Sequence, residues 1–387
     1  MIQTLIRTLP SYAVTLVAIV ALAVFALANG LNPVSLTVSI MVAAMPLMLA
    51  ALGEMVTEKS GVLNLGVEGM MITGAVAGFA IAVETGSPLV GIVAAALAGG
   101  ALALIFGFLT QVLLSNQVAT GLALTLFGLG LAALVGQPYA GVRPPAFPRL
   151  DIPVISDLPV IGPILFAHDL MMYLSFALLA AIWWFLYHSR RGLILRSVGE
   201  NHHAAHALGY NVIGIRLAAI AFGGACAGLG GATLSLIRVP QWNEGMTAGA
   251  GWIALAIVVF GGWRPGRVAL GAYLFGGVTI LQLNLQAASL TPLWLLPLGL
   301  LLFATNSTVK ALTGDAPGHT RAMVPLWLGT LAAWLLAERF PVAIQTQYLS
   351  MTPYICTIIV LVVMSADRVR AKLAAPGSLG QVFHRTG

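Results

Sequence analysis

Long runs of this chain carry no charged side chain. Residues 8–53, 85–142 and 268–309 are each long enough for two membrane-spanning helices, because one span needs about 20 apolar residues. Shorter uncharged runs, each able to hold one span, lie at 170–189, 217–237, 245–263 and 340–366. These runs are continuously apolar and do not alternate with polar residues, which excludes the strands of a transmembrane β-barrel. The pattern predicts an all-α polytopic membrane helical bundle.

About twelve transmembrane helices are expected, in a single domain over residues 1–387. The first apolar stretch, Ser11–Asn29, ends in Ala26-Leu27-Ala28, which is similar to a signal-peptide cleavage site. It is long enough to span and another span follows almost at once, so we expect it to be retained as the first helix. The predicted helices cover residues 11–29, 34–53, 67–84, 88–114, 118–136, 169–188, 214–237, 246–263, 267–287, 292–307, 322–338 and 348–366.

Basic residues segregate strongly between the two sides of this arrangement. When the N-terminus is placed in the cytoplasm, only Arg143, Arg149, Arg238 and Arg339 fall on the outer side. Loops on the cytoplasmic side of a membrane are enriched in Lys and Arg, so both termini are predicted to be cytoplasmic in a bacterial inner membrane. The Pro- and Gly-rich loop 137–168 is then periplasmic, and the basic loop 189–213 is cytoplasmic.

Composition supports a membrane protein and excludes several other classes. Charged residues make up only 8% of the chain, against roughly 25% in soluble domains. The net charge of +6 is scattered over separate loops, which argues against nucleic-acid binding. Cys226 and Cys356 both lie in apolar runs and are interpreted as small buried hydrophobes, without a metal-ligand spacing.

The sequence GEMVTEKS at Gly53–Ser60 is similar to a phosphate-binding loop but lacks a key feature. Glu58 stands where the second glycine is needed and would face the phosphate, and no strand precedes the segment. ATP binding here is therefore rejected. If ATP drives this protein, ATP and Mg are bound by another chain, and this chain needs no cofactor of its own.

The loop 189–213 contains a possible short amphipathic helix over residues 197–209, for which Gly209 is a suitable end. Its residues alone allow either a solvated basic loop or a docking helix for a soluble partner. The spacing of Glu200, Ala204-Ala205 and Gly209 resembles the EAA-type loop of ABC transporter permeases.

A second group of polar residues lies at or near membrane depth. Glu58, Lys59, Asn64 and Glu68 lie within or beside a Gly-broken apolar stretch over 57–78. Ionisable residues in a membrane are costly and are usually functional, so the segment is either a turn followed by an ordinary helix or a broken helix lining a substrate path. Weaker candidates, each able to serve as an inter-helix hydrogen bond or an interfacial anchor instead, are Asn116, Gln117, Thr247, Trp252, Gln282 and Gln286.

The run GEMVTEKSGVLNLGVEGMMITGA, at residues 53–75, closely resembles the corresponding run of nucleoside-type ABC permeases, within the branched-chain amino acid and simple-sugar permease superfamily. Four further stretches resemble the same family in the same order: SNQVATGLALTL at 115–126, RRGLILRSVGENHHAAHALGYNV at 190–212, MTAGAGWIALAIVVFGGWRP at 246–265 and LQLNLQ at 281–286. Two departures are visible. His202-His203 replaces the expected pair before the alanines, and a hairpin of two apolar segments at 291–340 is additional.

This resemblance implies a type II-like importer permease in a heteromeric complex. The partners would be a second permease chain, a cytoplasmic ATPase subunit and an extracytoplasmic substrate-binding protein, which could dock at Trp242-Asn243-Glu244. The chain would not be an enzyme, and it would import a small polar solute, with nucleosides favoured over a sugar or a branched-chain amino acid. An ion-coupled secondary transporter, with Glu68 as the coupling acid, is the alternative class. The residues assigned to the substrate pathway are Asn64, Glu68, Asn116, Gln117, Trp252 and Gln282.

Overall fold

A computed structural model describes residues 32–151, 156, 158–287, 317–339, 350–355, 358 and 375–384. The described residues are predominantly helical, as the apolar runs predict. The helices are α1 Pro33–Lys59, α2 Val67–Thr85, α3 Pro88–Gly107, α4 Gln117–Gly136, α5 Leu170–His188, α6 Arg190–Glu200, α7 His202–Ala207, α8 Val212–Thr233, α9 Ala250–Phe260, α10 Pro265–Ala287 and α11 Pro317–Arg339.

Seven helices in the described part of the chain are long and apolar enough to cross a membrane. These spans are Pro33–Lys59, Val67–Thr85, Pro88–Val112, Gln117–Tyr139, Leu170–His188, Val212–Arg238 and Pro265–Asn284. The protein is thus a multi-pass membrane protein. The predicted helices 11–29 and 292–307 lie outside the described residues, as does most of 348–366, so the count of twelve and the added hairpin remain predictions.

The described residues fall into two compact units. The larger unit takes the described residues of 38–279 and 353–384, and the smaller one takes those of 32–37 and 280–352. In the smaller unit, α11 is a helix of 23 residues with Pro325 inside it and the apolar stretch Trp327–Leu336 near its end.

The larger unit is held together by close helix packing at glycines. A methyl group added to Gly74 of α2 would overlap the main chain of Gly228 on α8, and one added to Gly99 of α3 would overlap Gly224, also on α8. The main chains of these three helices therefore approach one another directly, as small residues allow in a bilayer. Larger apolar side chains such as Met45, Met48 and Phe106 fill the rest of the interior.

Helix α9 is much shorter than the predicted span 246–263. Residues 244–249 form turns, and Gly249 takes a left-handed φ of 81° immediately before the helix. Beyond Phe260 the chain turns sharply through Trp263, whose φ of 53° is unusual for a bulky residue. The buried carboxylate of Glu58 accepts a hydrogen bond from the Trp263 indole, which secures this turn.

Two loops contain structure of their own. In the loop 137–168 and just beyond it, β1 Arg149–Asp151 pairs antiparallel with β2 Ala167–Asp169, and Asp169 then caps α5 by accepting from the N–H of Met172 at 3.0 Å. In the loop 189–213, the predicted single helix 197–209 is wrong. The structure has α6 and α7 there instead, because Asn201 adopts an extended conformation between them.

Candidate functional site

The carboxylate of Glu68 lies in the first turn of α2 and joins that helix to the start of α9. It accepts hydrogen bonds from the Thr247 hydroxyl at 2.7 Å and from the Gly251 N–H at 2.7 Å. Only 3% of Glu68 is exposed. Gly251 is needed for this approach, because a Cβ at that position would lie 2.5 Å from the Glu68 main chain. The N-terminal end of α9 thus receives a negative charge, which its dipole favours.

Asn64 organises the α1–α2 linker, residues 60–66. Its main-chain N–H and its amide group both donate to the Glu54 carboxylate, at 3.3 and 3.4 Å. Its side-chain oxygen accepts from the N–H of Gly66 at 2.9 Å. Asn64 is fully buried and Glu54 nearly so. These hydrogen bonds fix the conformation of the linker and attach it to Glu54 of α1.

Gln117 reaches the same linker from α4. Its side-chain oxygen accepts from the Leu63 N–H at 2.9 Å, while its amide nitrogen is buried without a hydrogen-bond partner among the described residues. Thr125, two turns further along α4, donates its hydroxyl to the Leu65 carbonyl at 3.1 Å. Asn64, Gln117 and the neighbouring Glu68 are thus brought together around one short segment.

Of the other assigned pathway residues, Asn116 and Trp252 lie next in the chain to members of this group, and the Trp252 main chain contacts the Glu68 carboxylate. Asn116 is exposed and caps α4 by accepting from the Ala119 N–H at 3.0 Å. Trp252 follows Gly251 on α9, and 40% of its surface is exposed. Gln282 is buried in the smaller unit, on α10. Their pathway assignment stays a prediction.

A second candidate site is the loop 189–213, called the coupling loop below. Ser189 caps α6, Asn201 caps α7 by accepting from the Ala204 N–H at 3.0 Å, and Asn211 caps α8. Gly209 ends the α7 turn with a φ of 88°, in line with the expected helix end. Three short-range caps and one glycine therefore define two helices joined at a sharp bend.

Ala204 and Ala205 of this loop face opposite ways. Ala205 is 2% exposed and packs with Val198, Val212 and Phe383, whereas Ala204 is exposed. Leu208 protrudes at the end of α7 with 77% of its surface exposed. One cavity of about 410 Å³ lies beside α7 and is lined by residues that include Lys59, Arg196, Glu200 and Ala204, and another of about 280 Å³ lies near Gly209 and Phe383.

Arg216 connects the coupling loop to the rest of the larger unit. Its guanidinium is fully buried near the start of α8 and donates to the Ser60 carbonyl at 3.2 Å, the Gln111 side chain at 3.2 Å and the Gln381 carbonyl at 3.1 Å. Its remaining nitrogen lies 3.2 Å from Nδ1 of His202, the first residue of α7. Since the guanidinium can only donate, Nδ1 of His202 is the acceptor.

His202 is kept neutral by this environment. Burial, and then the positive charges of Arg216 and His203, lower its pKa to about 4. A protonated imidazole would lose its acceptor nitrogen and would meet the guanidinium with a like charge. His202 therefore acts as a hydrogen-bond acceptor under neutral conditions.

The chain's C-terminal segment 375–384, called the tail segment below, packs on the coupling loop. Ser378 donates its N–H to the Gly199 carbonyl at 2.8 Å, and its hydroxyl accepts from the His202 N–H at 3.2 Å. Phe383 is 4% exposed, and its ring centroid lies 5.2–5.9 Å from the ring centroids of His202, His203 and His206. Among the described residues, no group of three or more His, Cys, Asp or Glu side chains is placed to hold a metal ion.

Comparison with known proteins places the chain in a family. The family model described as "Branched-chain amino acid transport system / permease component" matches residues 36–305. The chain belongs to this permease family. No solved structure matches it.

The permease is similar over most of its length to several ABC transporter permeases. It is 37% identical to the permease protein TsgC13 of Haloferax volcanii, whose name provisionally assigns it to glucose, over 89% of this chain and 95% of that protein. It is 34% identical to the guanosine permease protein NupQ of Bacillus subtilis, over 72% of this chain and 92% of that protein. It is 30% identical to the nucleoside permease protein NupC of Lactococcus lactis, over 65% and 84%. It is thus an ABC transporter permease, as its motifs indicate.

Several contact residues of the permease were not recognised from its sequence. Glu54 and Gln111 lie within apolar runs or at their edges, so their polarity at that depth was an available signal. Arg216 gives the same signal, because apolar residues flank it on both sides. Phe383 and Ser378 gave no signal, because their partners lie far away in the chain.

The segment Trp242-Asn243-Glu244 exposes less surface than its sequence indicates. Trp242 is 4% exposed and packs against Gly136 at the end of α4. Asn243 and Glu244 are exposed beside it and help to line a cavity of about 460 Å³. Asn243 and Glu244 are therefore the accessible residues of this three-residue segment.

Proposed function

We propose that this permease forms one half of the translocation pathway of an ABC importer for a small polar solute, with nucleosides favoured. The observation that supports this most directly is α7, a short helix outside the spans with Ala204 on its exposed face. A small residue there allows a helix to seat deeply in a groove of another protein. We infer that the coupling loop, through Glu200, Ala204, Ala205 and Gly209, docks on a separate ATPase subunit that binds ATP and Mg.

The position of basic residues supports a cytoplasmic location for this docking surface. The charges of Arg196 and Arg264 act on Lys59 beside α7, so several cations gather at this end of the larger unit. Cytoplasmic ends of spans are enriched in such residues. We place the permease in the inner, cytoplasmic membrane with both termini inside, the coupling loop facing the ATPase and Asn243-Glu244 facing the substrate-binding protein.

A heteromeric permease pair fits the relatives. Two glucose-named permease proteins of Haloferax volcanii, TsgC13 and TsgB13, both resemble this chain, as do two guanosine permease proteins of Bacillus subtilis, NupQ and NupP. Each organism therefore has two chains of this kind with the same named substrate. We infer that a second, similar permease completes the pore here, by a type II-like arrangement of about twelve helices in each chain.

Two substrate classes are candidates for this importer, nucleosides and sugars. Relatives named for guanosine or nucleosides support nucleosides, and those named for glucose support a sugar. Both solutes are small, polar and hydroxylated. The test is uptake of radiolabelled guanosine and glucose by vesicles that contain the permease, its pair, the ATPase and the binding protein.

ATP-dependent uptake of guanosine that excess glucose does not inhibit is the expected result. ATP-dependent uptake of glucose alone would transfer the proposal to the sugar candidate. Uptake by the permease alone, driven by an ion gradient and indifferent to ATP, would contradict the ABC mechanism and favour a secondary transporter.

A further inference from the structure

The tail segment covers the inner face of the coupling loop and is also hydrogen-bonded to it at several points. Besides the two bonds of Ser378, the Gly377 N–H donates to the Glu200 carboxylate at 3.3 Å. Phe383 completes the buried cluster on the inner face of α7, where Ala205 lies. The tail therefore holds both the end of α6 and the start of α7, on either side of the bend at Asn201.

The same segment is bonded to the α1–α2 linker. The Gly380 N–H donates to the Gly61 carbonyl at 3.1 Å, and Arg216 bridges the Gln381 carbonyl to the Ser60 carbonyl. Asn64 lies three residues beyond Gly61, and Glu68 lies in the next helical turn. The tail thus lies between the coupling loop and the segment that carries the candidate pathway residues.

We propose that the tail segment and Arg216 are positioning elements that tie the coupling loop to the α1–α2 linker, so that motion of α7 is passed to the pathway. This inference rests on the proposed function, because it assumes that α7 meets an ATPase. Residues 199–202, 377–383 and 60–61 then move as one body, held by main-chain hydrogen bonds, the buried guanidinium and the Phe383 ring. Without the tail, α7 keeps its outward face but loses its connection to the linker.

Docking on the ATPase and transmission of motion to the α1–α2 linker can be tested separately, by substitutions on opposite faces of α7. Ala204 lies on the exposed face of α7, so its replacement by Trp tests docking. Ser378 and Phe383 lie on the inner side, so Ser378→Ala and Phe383→Ala test transmission. A matched control is His384→Ala, because His384 is an exposed residue of the tail segment and lies outside residues 377–383.

The experiment uses the full transport complex in vesicles and measures three quantities: ATPase subunit that co-purifies, ATP hydrolysed, and solute taken up for each ATP. We expect Ser378→Ala and Phe383→Ala to retain the ATPase and its hydrolysis, and to lower uptake per ATP at least about fivefold, the lower end of coupling between linked sites. His384→Ala should match the wild type in all three.

Normal uptake per ATP in both tail variants would overturn the proposal that the tail ties the coupling loop to the α1–α2 linker. Loss of ATPase binding in Ala204→Trp would still leave the docking proposal intact. Normal behaviour of Ala204→Trp would instead contradict the docking proposal. If Phe383→Ala does not accumulate in membranes, Phe383→Leu and Ser378→Ala decide the question. Loss of ATPase binding in the tail variants, with unchanged uptake per ATP in the remaining complexes, would make the tail a docking element and also overturn the proposal that it ties the coupling loop to the linker.

Discussion

The carboxylate of Glu68 and the main-chain N–H of Gly251 are hydrogen-bonded at 2.7 Å, although the two residues are 183 positions apart in the chain. This bond joins α2 to the first turn of α9. The Thr247 hydroxyl donates to the other carboxylate oxygen, so both oxygens of Glu68 are engaged. The acid at the start of α2 therefore has a fixed geometry and a negative charge placed at a helix N-terminus.

Glu68→Gln should impair uptake while the complex still assembles. Glutamine can accept from Gly251 through its oxygen and donate to Thr247 through its nitrogen, so the shape of the contact is kept and only the charge is lost. Loss of a charge at a helix N-terminus costs about 0.3–2 kcal/mol. Uptake kinetics and co-purification of partners measure the effect. Wild-type uptake in Glu68→Gln would assign Glu68 a structural role alone.

Glu68→Ala is the more severe comparison. It leaves the buried Gly251 N–H without an acceptor, which costs about 1–3 kcal/mol. We expect a lower melting temperature of the detergent-solubilised permease for the alanine variant than for the glutamine variant. Equal melting temperatures would show that these hydrogen bonds contribute little to stability.

Replacing Ala204 or Ala205 of α7 with tryptophan should have different effects. Ala204→Trp adds a large side chain on the exposed face, so we expect normal membrane abundance and stability with reduced co-purification of the ATPase. Ala205→Trp forces the same side chain into the cluster with Val198, Val212 and Phe383, and overpacking of this kind costs about 1–3 kcal/mol. Thermal unfolding together with co-purification distinguishes them. Identical behaviour of the two variants would contradict the orientation of α7.

Cysteine labelling tests the orientation of the permease in the membrane. Ala146 and Ala207 are exposed, and neither requires a left-handed backbone. In a background without Cys226 and Cys356, Ala146→Cys should react with an impermeant maleimide in intact cells, whereas Ala207→Cys should react only after permeabilisation. Labelling of Ala207→Cys in intact cells would reverse the topology and place α7 outside.

Stability around the tail should fall as the pH is lowered from 6.5 towards 4. The folded protein holds the pKa of His202 at about 4, below its ordinary 6.5, so the unfolded chain binds more protons in this window and is favoured there. Above pH 6.5 the contribution of His202 is complete. Proteolytic release of the tail segment, followed against pH, measures the effect.

His202→Asn is the matched variant for this pH dependence. Asparagine supplies a side-chain oxygen that can accept from Arg216 and does not titrate. The variant should show a flatter pH profile between 4 and 6.5. A profile that stays as steep as that of the wild type would show that His202 does not cause the pH dependence.

Gly228→Ala should destabilise the larger unit. The added methyl group would overlap the Ala95 carbonyl on α3, and overpacking costs about 1–3 kcal/mol. Gly130→Ala is the control, because Gly130 lies in α4 with open space around its Cβ position, and alanine favours a helix by up to about 1 kcal/mol. Melting temperatures in detergent should move in opposite directions. A stable Gly228→Ala protein would mean that α3 and α8 separate readily.

The amino-acid pattern was sufficient for the spans because their signal is local. Charge-free runs set the positions of α4 and α5 to within a few residues. The bend at Asn201 was also available in the sequence, since asparagine before a helix is a preferred cap, but the amphipathic pattern up to Gly209 favoured one continuous helix. Because Gly249 takes a left-handed φ just before α9, this helix is shorter than hydropathy alone indicates.

The features of the candidate site that could not be predicted from the sequence are contacts between residues far apart in the chain. An acid at membrane depth identified Glu68 as a special residue, yet nothing in its neighbourhood names Thr247 or Gly251 as its partners. The tail segment is short and is bonded largely through main-chain atoms, which carry no residue-specific signal. Ala204 and Ala205 look equivalent in the sequence, and only the position of Phe383 shows which of them faces inward.

The tail segment also has a consequence for the order in which this protein matures. His202 and Ser378, which share a hydrogen bond, are 176 residues apart. Because synthesis proceeds from the N-terminus, α7 leaves the ribosome with its inner face uncovered and its first N–H without this acceptor. It gains Ser378 and Phe383 only when the chain has been made as far as the tail segment. The coupling loop therefore reaches its finished form only after the tail segment has left the ribosome, and a nascent chain that stops before residue 378 has an α7 whose inner face is still uncovered.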